Sequence, residues 1–96
     1  MKQLTKSQAV KFWDSGAWKH LNHEEVALFQ IKQDKLSLPF EVFHEAVEKV
    51  LTTPIAVHAL AESRKSIEKE IENAVSKKTK DKIESLVLLP KKLKMG

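Results

Sequence analysis

Apolar residues in this chain recur at helical spacing, most plainly at Phe40, Phe43, Val47, Val50 and Leu51, which share one helix face. Pro39 stands just ahead of that stripe, where a missing N–H is tolerated in a first turn. It also turns the residue before it away from helical backbone, so Leu36-Ser37-Leu38-Pro39 reads as a break and a restart. Upstream, Thr5-Lys6-Ser7-Gln8 is a capping box, and it predicts a helix that buries Ala9, Val10, Phe12 and Trp13 and stops at Gly16. Asn22 is the next N-cap, with Glu25 three residues on and Glu24 placed to favour the helix dipole. The helix it opens carries Val26 and Phe29 inward, with Leu28 beside them, and runs to about Asp34. Thr52-Thr53-Pro54 ends the Phe40 stripe, and Ile55-Ala56-Val57 fits either a short strand or a helical turn. Ser63 or Ser66 opens a charged helix with Ile67, Ile71 and either Ala74 or Val75 inward, and a last helix holds Ile83, Leu86, Val87 and Leu89 before Pro90.

These elements predict an all-α fold, or a mostly α one with at most a short β segment near Pro54–Val57, built as a compact bundle of four to five short helices. Two glycines and three prolines leave too little punctuation for an all-β chain, which needs a turn roughly every 8 to 12 residues. A chain of 96 residues supports one modest core. All six aromatic residues lie at or before Phe43, so 1–60 reads as an aromatic-rich helical core segment, 61–90 as charged amphipathic helices packed on it, and 91–96 as a flexible basic tail.

Composition narrows the function. With no cysteine, disulfide frameworks, thiolate nucleophiles and cysteine-ligated zinc are excluded, and a reducing compartment is compatible. Met1-Lys2-Gln3-Leu4 leads into polar sequence and no run approaches the roughly 20 apolar residues that span a bilayer, so a cytoplasmic protein is expected. The net charge of +4 is uneven: 1–60 balances seven lysines against seven acidic residues, whereas 61–96 sets ten basic residues against six acidic ones.

Catalytic chemistry finds little footing. Glu41 and His44 form a Glu-x-x-His step of the kind di-iron bundles use in pairs, but there is one such step, and His20 and His23 straddle a helix boundary; neither metal nor another cofactor is expected. Glu24-Glu25 and Glu45-Glu48 offer carboxylates without a feature that would shift a pKa, and Glu24-Glu25 already has a capping role. There is no glycine-rich phosphate loop and no serine in a glycine-flanked elbow. A binding protein is expected, not an enzyme. Trp13 and Trp18, on either side of Gly16, are candidate partner-binding residues together with His44 and His58. The alternative is nucleic acid, through Lys77, Lys78, Lys80, Lys82, Lys91, Lys92 and Lys94 against only Asp81 and Glu84. Arg64 is the sole arginine, so such binding is expected to be weak and indifferent to base sequence.

From Leu28 to His58 the chain also carries a run of spaced residues: Leu28-Phe29-Gln30, Gln33, Leu36, Pro39-Phe40, Phe43-His44, Ala46-Val47-Glu48, Val50-Leu51, Pro54-Ile55 and His58. This run resembles a segment that recurs in a group of small uncharacterised proteins encoded by bacteriophages and prophages. Thr52-Thr53 departs from the Gly-Arg of that pattern, and Ala59 stands where an acidic residue follows the histidine. The resemblance implies an accessory protein of a mobile element, working in a bacterial host cell on a host or viral protein, counter-defence being one such role.

Overall fold

Two capping boxes start helices where the sequence places them. Thr5 Oγ1 accepts from the Gln8 amide at 3.2 Å while the Gln8 side chain accepts from the Thr5 amide at 2.9 Å. Asn22 and Glu25 make the same exchange, each bond 2.9 Å. In the computed structural model, which describes residues 3–85, these open α1 (Lys6–Ser15) and α2 (His23–Lys32), joined by a 3₁₀ turn (Ala17–His20). There follow α3 (Phe40–Leu51), the short α4 (Ala59–Glu62), α5 (Arg64–Ala74) and α6, which is helical over 77–85. The protein is all-α, with no strand among the described residues. None of its described helices is long and apolar enough to cross a membrane. Leu86, Val87, Leu89 and Pro90, and the 91–96 tail with Lys91, Lys92 and Lys94, lie outside the described residues.

The centre of the bundle is α2, not the Phe40 stripe. Every residue from Glu25 to Ile31 is buried, because α3 and α5 both pack on α2 and Phe12 of α1 sets its ring 4.8 Å from that of Phe29. A helix enclosed on all sides has no polar face to give it a period. It ends at Lys32, short of Asp34, as Gln33 turns extended. On α3, Phe43, Ala46 and Val47 are buried while Phe40, Val50 and Leu51 are half-buried. Ala46, the smallest of these, is wholly enclosed at the α2–α3 contact, which the stripe of large residues did not include.

The outer helix α1 departs from the expected burial. Only Ala9 is buried and Phe12 half-buried, whereas Val10 and Trp13 remain 50% and 38% exposed. A peripheral helix covers one narrow strip on its neighbour, and the Ala9–Phe12 strip takes it. Gly16 does end the helix, in left-handed backbone at φ 71°.

The strand reading of Ile55–Val57 does not hold, and the helical-turn reading holds only at its end, where the Ala56 and Val57 carbonyls accept from the Ala59 and Leu60 amides. Ile55 and Ala56 are irregular and Val57-His58 form the turn into α4. The Glu48 carboxylate accepts the Ile55 amide at 2.8 Å, and His44 Nε2 lies 2.6 Å from the Ile55 carbonyl. With both backbone groups satisfied from α3, this segment needs no strand partner.

On α5, Ile67 and Ile71 point inward and are followed by Val75, while Ala74 is exposed. Ser63 holds the cap position without a side-chain bond. Lys32 fastens α5 to α2, its ammonium reaching Glu68 at 3.0 Å and Glu72 at 2.5 Å. Ser76 caps α6 by accepting from the Thr79 amide, and Ile83 closes the core.

Candidate functional site

Beyond α2 the chain runs through 33–39 without helix, and the side chains that shape this loop come from inside the bundle. Buried Gln30 donates to the Lys35 carbonyl at 2.9 Å and accepts from the Ser37 amide at 2.8 Å. Ser37 and Leu38 are thereby held in the interior while Leu36, between two fixed points, is turned outward and 44% exposed. Arg64 donates from Nη2 to the Ile31 carbonyl at 3.0 Å and to the Gln33 carbonyl, and Gln3 donates to the Lys32 carbonyl. Carbonyls left over at a helix end need such partners, and here they come from far along the chain.

The loop faces the turn that leads into α4, and between them lies an open groove of about 540 Å³. Leu36 and Val57, the latter 57% exposed, stand on its walls, with Phe40, Phe43 and Leu60 deeper and Lys35, His58 and Arg64 as its cationic or titratable members. Two of the four large apolar side chains exposed among the described residues thus flank one depression. Exposed apolar residues that cluster about a concavity mark binding surfaces more than scattered ones do.

The four residues expected at a partner surface are not brought together. His58 lines the groove. His44 lies one layer behind it, half-buried, stacked on Phe40 with ring centroids 6.1 Å apart. Trp13 and Trp18 sit on the α1 side, where the Trp18 indole donates to the Trp13 carbonyl at 3.0 Å and Lys19 lies 5.6 Å from the Trp18 ring. Neither tryptophan lines the groove. Leu36 and Val57 were not singled out as site residues. Their signal is faint but real: each is a large apolar residue in a segment without helical period.

The lysine set is divided as well. Lys77 and Lys78 are exposed and Lys80 is half-buried, but Lys82 pairs with Glu25 at 2.6 Å and is not a free phosphate contact. Burial of Glu25 opposes its ionisation, yet the Lys82 ammonium and the Asn22 amide outweigh it and hold the carboxyl below the usual glutamate range. Burial likewise works against the charge of Lys32, and the Glu72 and Glu68 carboxylates overcome it to raise that lysine above its usual value. The contact with Lys32 in turn lowers Glu72. Glu24 is occupied too, its carboxylate accepting from Thr79 Oγ1 at 3.2 Å and from the Ser76 amide at 3.4 Å. Among the described residues, no three His, Asp or Glu side chains gather as metal ligands would.

The fold is that of a small all-α bundle with an open, largely apolar groove among its described residues. No family model, no curated protein and no solved structure matches the chain.

Proposed function

We propose that this protein is a non-enzymatic phage or prophage accessory factor that binds and modulates a host or viral protein in the bacterial cytoplasm, host defence machinery being one class of target. Its contact surface is the groove between the 33–39 loop and the Val57-His58 turn. The observation that carries this is the pairing of exposed Leu36 and Val57 across one apolar depression. Four side chains that acid–base chemistry could use have structural work: Glu24 and Glu25 hold helix ends, and Glu48 and His44 hold Ile55. The mobile-element origin draws on the Leu28–His58 resemblance.

Affinity capture from phage-infected host lysate, with and without nuclease, tests the reading on three forms of the protein. The wild type and a Lys77→Gln/Lys78→Gln variant are expected to recover the same partner whether or not nuclease is added. A Leu36→Asp/Val57→Asp variant is expected to lose it. Recovery that vanishes with nuclease and with the lysine variant would establish the nucleic-acid alternative instead.

A further inference from the structure

The groove is apolar at its base and charged at one edge, and that combination selects among partners. Lys35 and Arg64 set two fixed cations against the single carboxylate of Asp34, whose 3.6 Å contact with Lys35 is between exposed side chains and therefore weak. Arg64 contributes more than charge. Among the described residues its guanidinium bonds to the protein only through Nη2, so Nε and Nη1 keep donors for an acceptor from outside. His58, on the facing turn, adds a donor to the lining.

We propose that the groove receives an acidic, apolar segment of a partner protein, which seats a leucine-like or phenylalanine-like side chain between Leu36 and Val57 and turns a carboxylate toward Lys35 and Arg64. This rests on the protein-binding function proposed above and adds the chemistry of the partner. The cationic edge disfavours a basic segment, and the openness of the groove suits a peptide chain over an enclosed small molecule. Arg64 is held by the end of α2 before the partner arrives, so its free edge is already positioned.

The probes are a short acetylated and amidated peptide of Glu, Leu and Phe and its counterpart with every Glu replaced by Lys, titrated into the ¹⁵N-labelled protein and followed by amide shifts. The acidic peptide is expected to bind, moving the Leu36, Val57 and His58 amides, while its lysine counterpart does not. Lys35→Glu should weaken the acidic peptide about fivefold, the scale of one exposed charge pair, and Leu36→Ser/Val57→Ser should remove binding. Equal or tighter binding of the lysine peptide, shifts confined to the Trp13 side, or no binding up to millimolar peptide overturns the proposal. Dilution-dependent shifts at Leu36 and Val57 in the protein alone would show a second copy of the chain as occupant, which also overturns it. If the acidic peptide fails while groove-dependent, nuclease-resistant capture persists, the partner chemistry is wrong and the protein-binding function stands.

Discussion

Thr52 ends α3 in left-handed backbone at φ 53°, a conformation in which a β-branched side chain crowds its own carbonyl. Glycine has no such crowding. Thr52→Gly is therefore expected to stabilise the protein by about 1 kcal/mol, less the greater freedom glycine adds to the unfolded chain, and a urea melt reads it. Glu25 carries a second prediction at this scale. Its carboxyl is held below its ordinary range when folded, so the unfolded state takes up the proton first as pH falls. The stability it contributes is present above the unfolded pKa and lost as pH descends through the folded one. Glu25→Gln keeps the capping box but removes the titration, so its stability should fall less steeply in acid than that of the wild type. Identical slopes on the acid limb would mean that the Lys82 contact does not shift this group.

At the scale of the helices, the pairing of α2 with α3 and α5 organises the core. Phe43 is buried in it, and Phe43→Ala is expected to cost about 3 to 5 kcal/mol, a large part of what a domain of this size has. Trp13, on the outer face of α1, should behave differently despite its greater size. With its ring partly in water, Trp13→Ala is expected to cost about 1 kcal/mol or less. Parallel denaturant melts decide between these placements: a Trp13 effect as large as that of Phe43 would put α1 far deeper than its single buried residue does.

For the molecule's charged surface, the Lys77–Lys82 cluster offers less than its lysine count suggests. With Lys82 paired to Glu25, Lys77, Lys78 and Lys80 remain of these four, so the cluster should contribute about −2.7 to the slope of log affinity for DNA against log salt, where four contacts would give about −3.6. The sole arginine lies in the groove, anchored to the end of α2, and not on α6 with these lysines, so base readout gains no arginine beside them. Titrations of fluorescent duplex and single-stranded DNA at two salt concentrations are expected to show only feeble binding. Submicromolar affinity near physiological salt would place nucleic acid ahead of a protein partner.

Helix starts and stops were legible residue by residue: Thr5 with Gln8, Asn22 with Glu25, Gly16, the Pro39 restart and the Thr52 stop all act over three or four positions, within reach of local hydrogen bonding. The amphipathic stripe of α3 was legible for the same reason, since its side chains sort themselves by helical period alone. Which helix occupies the centre was not, because α2 is enclosed by neighbours and shows no stripe, and Val10 and Trp13 of α1 face outward only because one flank of that helix has no neighbour to bury it. Arg64 meets Ile31 across 33 positions and Thr79 meets Glu24 across 55, separations at which a polar residue carries no mark of its partner. The groove belongs to that second kind. Leu36 and Val57 become one surface only when α2 and α3 pack and Gln30, His44 and Glu48 pin the two loops, so tertiary structure alone made a site of two apolar residues in segments without a period.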